Sequence, residues 1–394
     1  MKVYLLLMLV ALGVTVLATP VVRWACIRWG IVPKLRDRDI QAVPVPRLGG
    51  VAMTLGFLVA MGLGSRIPYM GPVYETSVPW AVMGGACAMC LLGVADDILE
   101  LDWFTKLAGQ ILIAGLMAYY GVQLVSFPIF GLTIGSSRLS LVATVFVVVA
   151  IVNAVNFIDG LDGLAAGVVA IGAGAFFAYS YFLTRMMGAT SYATTAALVV
   201  ITLLGISAGF LWFNFHPSSI MMGGGAETLG LVLAAAGIIV TGQIDPSLLG
   251  RQQVLAGLMP IILPLAVIVV PLGDLVVTSV RRLLSGHSPF VADRSHFHDR
   301  LLARGHSHRG VVLILCAWTA VVSIAAVALL AFPWEKVLLV ALPVALATAV
   351  VTGIEFPSGN RAAHARRAGP RLATLRRGRE AEDDHGTNEN EEDR

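Results

Sequence analysis

Residues 153–167 read NAVNFIDGLDGLAAG and stand at the end of a long apolar run. Within this stretch, acids and amides recur at intervals of three, at Asn153, Asn156, Asp159 and Asp162. A charged side chain at bilayer depth costs about 2.5–3.5 kcal/mol even on a lenient insertion scale. So many polar groups beside so apolar a run indicate a functional site. On a helix, or on a turn leading into one, we expect the four side chains to face one place.

The composition around this stretch is that of a membrane protein. Of 394 residues, 57% are hydrophobic and 13% are charged, and the mean hydropathy is +0.82. In soluble domains, charged residues make up about a quarter of the chain. We therefore predict an all-α, polytopic integral membrane protein, and we expect no nucleic acid partner.

Apolar runs of roughly 17–25 residues, with some shorter ones, predict about eleven transmembrane helices. The first run covers 3–18; a signal peptide is the competing interpretation, but no clear small-x-small cleavage site follows it. We predict a transmembrane domain over 1–355 and a disordered cytoplasmic tail over 356–394, since the tail has almost nothing to bury. The other runs lie near 48–64, 78–95, 107–121, 139–152, 161–183, 193–213, 228–241, 255–279, 310–331 and 336–354.

The distribution of basic residues predicts the orientation in the membrane. Basic loops stay on the cytoplasmic side. With the N-terminus outside and the C-terminus in the cytoplasm, the inner loops and the tail hold most of the 27 Lys and Arg residues. This orientation also places residues 153–167 at the cytoplasmic surface.

Two further polar stretches stand at predicted membrane borders. In PVPRLGG at 44–50, prolines and glycines hold Arg47 near backbone N–H groups that can seat an anion. A plain basic anchor explains this stretch equally well. Asp96 and Asp97 are adjacent at the end of the third predicted span, where they repel each other and where the helix dipole disfavours negative charge. This pair indicates Mg²⁺ binding or proton chemistry.

Two more stretches complete the polar set. FNFHPSS at 213–219 contains Asn214 and precedes three glycines at 223–225, which can cradle phosphate through backbone N–H groups. The stretch 281–302 carries Arg294, His296 and His298, and these side chains suit a diphosphate. A basic loop explains the arginine but not the two histidines. All five stretches lie on one predicted side, next to lipid, so the sequence predicts a site for a soluble phosphorylated donor and a lipid acceptor.

These stretches resemble the bacterial polyprenyl-phosphate N-acetylhexosamine-1-phosphate transferases, which include UDP-GlcNAc:undecaprenyl-phosphate and MurNAc-pentapeptide enzymes. The motif NxxNFxDGLDGLA is highly specific, and SPFxxDRxHxH resembles the GlcNAc branch more than the peptidoglycan branch. The matching segments are PVPRLGG at 44–50, GVADDILELDWFTKLAGQ at 93–110, NAVNFIDGLDGLAAG at 153–167, FNFHPSS at 213–219, and RRLLSGHSPFVADRSHFHDRLL at 281–302.

The resemblance implies transfer of a hexosamine-1-phosphate, GlcNAc-1-phosphate in this branch, from a UDP-sugar to a polyprenyl phosphate. UMP is released, Mg²⁺ is required, and Mn²⁺ is an alternative. The enzyme would work in the plasma membrane, with its site facing the cytoplasm. It would start cell-wall or surface glycan synthesis, such as lipopolysaccharide, teichoic acid or an arabinogalactan linker. Homodimers occur in the family, and the sequence leaves a homodimer open.

Carried over to this chain, the resemblance also implies roles for individual residues. The implied catalytic residues are Asp96, Asp97, Lys106, Asp159 and Asp162. The implied substrate-binding residues are Arg47, Asn153, Asn156, Asn214, Arg294, His296 and His298. The implied metal ligands are Asp96, Asp97, Asp162 and Glu227.

One segment departs from the family pattern. The family has a GDxGS-type segment whose aspartate binds Mg²⁺, whereas residues 222–227 read MGGGAE, with a glycine at that position and one residue fewer. Glu227 is the nearest acid. A catalytically impaired homologue, acting as a scaffold that binds lipid or nucleotide sugar, is therefore the alternative. A cation-coupled transporter would place its acids near mid-membrane, whereas the clusters here share one face.

Overall fold

A computed structural model describes residues 1–31, 45–124, 136–187, 192–241, 262 and 297–354. These ranges are helical, with one short 3₁₀ turn at Pro68–Met70 and no strand. The helices are α1 (Lys2–Arg28), α2 (Gly49–Gly64), α3 (Gly71–Tyr74), α4 (Val78–Leu99), α5 (Trp103–Tyr119), α6 (Ser137–Ile158), α7 (Leu164–Met187), α8 (Tyr192–Asn214), α9 (Gly225–Thr241), α10 (Phe297–Ala303), α11 (His308–Ala328) and α12 (Trp334–Gly353).

Seven of the described helices are long and apolar enough to cross a membrane. They are α1, α4, α6, α7, α8, α11 and α12. An eighth span results if α2 and the short helical segment after it are counted together, although the chain bends by 94° between them. The prediction of a polytopic all-helical membrane protein is confirmed, and the predicted total of eleven spans stays a prediction.

The helix α9 forms the centre of the bundle. All of its residues, Gly225–Thr241, are buried, because it packs against α2, α4, α6 and α8. A helix that is apolar on every side is stable when other elements surround it. Glu227 is the one charged residue in this helix.

The outer helices present apolar side chains away from the bundle. Only 6% of the spanning window of α12 is buried, and Leu339, Leu342 and Leu346 are exposed along it. In water such a surface would be a large apolar patch, whereas in a bilayer it contacts lipid. The apolar residues of this outer helix therefore lie on the surface that would contact lipid.

Two helix ends differ from the prediction. The helix α1 continues through Pro20 to Arg28, well beyond the predicted end at residue 18. The helix α6 extends to Ile158, so Asn153 and Asn156 lie in its last two turns, and only Asp159 and Asp162 lie in the connection to α7. Hydropathy marks the apolar part of a span, whereas the helix continues as long as its backbone hydrogen bonds are formed.

Candidate active site

A tight turn between α4 and α5 brings two functional stretches together. Glu100 ends α4 in the left-handed conformation with φ of 51°, and Asp102 caps α5 by accepting hydrogen bonds from the N–H groups of Phe104 and Thr105, both at 3.0 Å. An aspartate at this position satisfies N–H groups that have no partner within the helix. As a result α5 folds back on α4, and Lys106 faces Asp96.

Lys106 lies between two carboxylates. Its Nζ is 2.7 Å from Oδ2 of Asp96 and 2.5 Å from Oε1 of Glu227. The Lys106 and Asp96 side chains keep 21% and 25% of their surface, whereas the Glu227 side chain keeps 1%. The ammonium is therefore held from the buried side by α9 and from the exposed side by α4.

Hydrogen bonds of two amide side chains connect this charged group to a further helix of the bundle. Gln110, one turn after Lys106 on α5, donates from Nε2 to Oε2 of Glu227 at 3.3 Å. Asn153 of α6 donates to Oε1 of Gln110 at 2.7 Å and to the carbonyl of Val149 at 2.8 Å. Residues four apart on a helix share a face, which is why Lys106 and Gln110 reach the same carboxylate. The polar network thus connects α4, α5, α6 and α9.

The glycine segment before α9 is closed onto its neighbours. Gly224 donates its N–H to Oδ2 of Asp97 at 2.9 Å. A side chain on Gly224 would overlap the backbone of Gly93, and one on Gly223, whose φ is +57°, would overlap the Arg47 carbonyl and the Asp97 carboxylate. The segment therefore needs glycine at both positions, since no Cβ fits.

Backbone hydrogen bonds join this segment to the stretch around Arg47. The N–H groups of Gly49 and Gly50 donate to the carbonyls of Met221 and Met222, at 3.0 and 2.9 Å. The expectation that the start of α2 offers open N–H groups to an anion is therefore wrong at these two residues. The same holds for two of the three glycines expected to form a phosphate cradle: the N–H of Gly224 donates to Asp97, and that of Gly225 donates to the Met222 carbonyl.

A second polar cluster lies around Asp162. Its Oδ2 is 2.9 Å from Nδ1 of His216 and accepts the N–H of Ser218 at 3.2 Å. Its Oδ1 accepts the Ser218 hydroxyl at 2.9 Å. Three contacts thus tie the turn after α6 to the segment after α8. These contacts of Asp162 are separate from the ion pairs of Lys106.

Asn214 fixes the backbone beside this second cluster. It is 2% exposed. Its Oδ1 accepts the N–H of Gly163 at 3.0 Å, and its Nδ2 donates to the carbonyl of Ile220 at 3.1 Å. Both bonds go to backbone groups of the turns that carry Asp162 and the glycines. In the structure this predicted substrate-binding residue shapes the loops.

The start of α11 packs against the same cluster. The rings of His216 and His308 stack with centroids 4.7 Å apart, and Arg309 donates from Nε to the His216 carbonyl at 2.8 Å. Arg309 also lies over the Phe215 ring, 5.9 Å from its centroid. Two histidines and an arginine thus meet at the rim of the bundle, where anionic groups are favoured.

Asp159 lies where negative charge accumulates. Burial, together with the negative charges of Asp97 and Asp162, raises the pKa of Asp159 to about 8, while Arg47 acts in the opposite direction. Like charges that are close to one another disfavour ionisation. The charge of Asp97, which follows Asp96 on α4, and the charge of Asp162 in the second cluster therefore both act on Asp159.

The structure brings together most of the predicted site residues that it describes. Asp96, Lys106, Glu227 and Asn153 form one network, and Asp162 forms the other. In the ranges that the structure covers, no three Asp, Glu, His or Cys side chains converge as a metal site, so the four implied metal ligands stay a prediction. Arg294 and His296 lie outside the described residues, and His298 falls in the short helix α10.

Several residues of the two clusters had no predicted role. Gln110 had a usable signal, because it stands four residues after Lys106 on the same helix. His216 and Ser218 stand in a quoted motif, but nothing in the sequence pairs them with Asp162. Arg309 and His308 stand at the start of an apolar run, where a basic residue normally indicates only a membrane border.

The comparisons with known proteins identify the class. Residues 79–241 match the model of glycosyl transferase family 4. Relatives that are 31–39% identical align with 81–87% of the chain. The chain therefore belongs to this family and is a member of the bacterial polyprenyl-phosphate N-acetylhexosamine-1-phosphate transferases.

Three of the relatives are named as transferases of N-acetylglucosamine phosphate. The decaprenyl-phosphate N-acetylglucosaminephosphotransferase of Mycobacterium tuberculosis H37Rv is 39% identical over 81% of this chain and 80% of its own length. The Mycolicibacterium smegmatis protein of the same description is 38% identical over 87% and 86%. The probable undecaprenyl-phosphate N-acetylglucosaminyl 1-phosphate transferase of Bacillus subtilis is 31% identical over 82% and 83%.

Proposed function

We propose that this protein transfers GlcNAc-1-phosphate from UDP-GlcNAc to a polyprenyl phosphate at the cytoplasmic face of the plasma membrane. An oxygen of the lipid phosphate attacks the phosphorus that bears the sugar. The bond from that phosphorus to the bridging oxygen breaks, and UMP leaves with that oxygen. The products are a polyprenyl diphosphate-linked sugar and UMP. The names of the relatives support the acceptor and the sugar phosphate.

The observation that carries the proposal is the position of Lys106. Its ammonium lies at the partly exposed end of α4 and α5, fixed between Asp96 and Glu227. A diphosphate that is attacked by another phosphate gains negative charge among its oxygens, and positioned cations stabilise that charge. Lys106 and Arg47 would supply such cations next to lipid, where the acceptor and the donor would meet.

The acids in turn suit a divalent cation. Burial and the charges of Asp97 and Asp162 raise the pKa of Asp159, so a cation among these acids would be favoured, and carboxylate oxygens are the ligands that Mg²⁺ prefers. Asp97 and Asp159 are the residues that would hold Mg²⁺, since Asp96 already pairs with Lys106. When bound, the ion would neutralise phosphate charge. Asp97, which accepts the N–H of Gly224, is also the carboxylate that would take a proton from a protonated acceptor.

One observation favours a second candidate, the impaired homologue that binds without transfer. The glycine segment has no acid and no room for one, because Gly223 and Gly224 abut Asp97 and Gly93. A protein with this segment could retain the nucleotide-sugar site and lack the reaction. The two candidates predict the same binding and different turnover.

A transfer assay separates them. Purified protein in lipid nanodiscs is given polyprenyl phosphate, MgCl₂ and UDP-GlcNAc labelled in the sugar, and the label is followed into the lipid phase. Lipid-linked label that is lost in Asp96→Asn supports transfer. Binding of UDP-GlcNAc by a folded protein without labelled lipid supports the scaffold instead.

A further inference from the structure

We propose that Glu227 is a positioning residue for Lys106 and not a ligand of the metal ion. The proposal rests on the proposed function, since the lysine is placed for the diphosphate of the donor. It assigns the one buried acid of α9 a role that its sequence position alone does not reveal.

The first support is the burial of Glu227 and what its oxygens contact. The residue has no exposed surface, so its charge needs a partner inside the protein. Oε1 is 2.5 Å from the Lys106 ammonium and Oε2 is 3.3 Å from the Gln110 amide. Both oxygens thus point at donors of α5, and of these two donors the Lys106 ammonium also pairs with Asp96.

The second support is the asymmetry of the two carboxylates around Lys106. The Asp96 side chain keeps 25% of its surface exposed, whereas the Glu227 side chain keeps 1%. A lysine side chain has about 2 kcal/mol of rotamer entropy to lose when it is fixed. A buried carboxylate holds the ammonium in place while Asp96 exchanges contacts with an incoming ligand.

The third support is the closed glycine segment. Gly224 donates to Asp97, and neither Gly223 nor Gly224 has room for a Cβ. Glu227, in the first turn of α9, is the first acid after this segment. From there its side chain reaches α5, whereas Asp97 stays on the α4 side.

The experiment measures two affinities in Glu227→Gln, which keeps the shape and the amide contact. We expect the Kd for UDP-GlcNAc, by calorimetry in nanodiscs, to rise about ten-fold, since a charged hydrogen bond contributes about 1.5–3 kcal/mol. We expect the Kd for Mn²⁺, followed by electron paramagnetic resonance without substrate, to stay within about two-fold of wild type, below the 1.4 kcal/mol of a ten-fold change. Glu75→Gln, an exposed acid far along the chain, is the matched control and should change neither.

Each other outcome has a defined meaning. Loss of Mn²⁺ binding in Glu227→Gln would make Glu227 a metal ligand, and an unchanged affinity for UDP-GlcNAc would remove the positioning role; either overturns the proposal. If Glu227→Gln does not fold, Lys106→Met with Glu227→Gln removes both charges, and it should fold and bind donor no worse than Lys106→Met alone. A double variant that binds worse contradicts the coupling. Wild-type protein that binds no nucleotide sugar would instead reject the proposed function.

Discussion

The ammonium of Lys106 lies 2.5 Å from a carboxylate oxygen of Glu227, which is the only acid of a completely buried helix. The two residues belong to elements far apart in the sequence, α5 and α9. Their contact fixes a cation at the end of the bundle where Asp96, Asp97 and Asp159 also lie.

Replacing Lys106 by Met should abolish transfer and destabilise the protein. The substitution removes the cation and leaves the buried Glu227 charge without its ion-pair partner, and breaking such a pair costs about 3–5 kcal/mol. Thermal unfolding followed by scanning fluorimetry, together with the transfer assay, measures both effects. Lys336→Met, at an exposed position, is the control. A stable Lys106→Met protein with wild-type turnover would show that the ion pair serves neither purpose.

Adding an acid to the glycine segment should not improve the enzyme. Gly224→Asp restores a carboxylate near the position where the family has one, but its Cβ would overlap Gly93. We expect both Gly224→Asp and the smaller Gly224→Ala to lower the unfolding temperature and the transfer rate. Extra atoms forced into a well-packed core destabilise a protein by about 1–3 kcal/mol. Gly71→Ala, where a Cβ meets nothing within 4 Å, should be tolerated. Higher turnover in Gly224→Asp would contradict the closed segment.

Asp162→Asn should weaken donor binding more than folding. The amide keeps the size of the side chain and one acceptor oxygen, but it removes the negative charge that faces His216 and Ser218 and replaces one of the two acceptor oxygens by a donor. We expect KM for UDP-GlcNAc to rise about ten-fold, in line with a lost charged hydrogen bond. Asp102→Asn is the matched control, since Asn caps a helix as well as Asp. Equal KM values in the two variants would exclude a role for the Asp162 cluster in binding.

The protein should lose stability as the pH rises toward 8. Asp159 has a pKa of about 8 in the folded protein, compared with about 3.9 in an unfolded chain. The folded state therefore binds this proton more tightly, and the free energy of unfolding falls between about pH 4 and pH 8. In Asp159→Asn this contribution is absent, so unfolding temperatures measured without divalent ions should fall less over the same range. Parallel curves for the two proteins would refute the assignment.

The sequence was sufficient to predict a polytopic all-helical membrane protein, because apolar runs are local signals. It placed Asp96, Lys106 and Asn153 in one site, and the structure joins them through Glu227 and Gln110. The apolar run ends near residue 152, whereas α6 continues through Asn153 and Asn156 to Ile158. Apolar character identifies membrane depth, and it does not mark the last helical turn.

The pairings between distant segments could not be predicted from local signals. The three glycines and the N–H groups at the start of α2 had the composition of phosphate cradles. In the structure Asp97, Met221 and Met222 accept hydrogen bonds from the N–H groups of Gly49, Gly50, Gly224 and Gly225. Which backbone groups remain open depends on how α2, α4 and α9 approach one another, and that approach is set by packing between helices.

The nucleotide released during turnover tests the central claim most directly. Wild-type protein with UDP-GlcNAc, polyprenyl phosphate and Mg²⁺ is sampled over time, and nucleotides are separated by ion-exchange chromatography. Transfer of a sugar-1-phosphate predicts UMP in amounts equal to the lipid-linked GlcNAc, with neither formed by Asp96→Asn. Release of UDP, or formation of labelled lipid without UMP, would contradict the account.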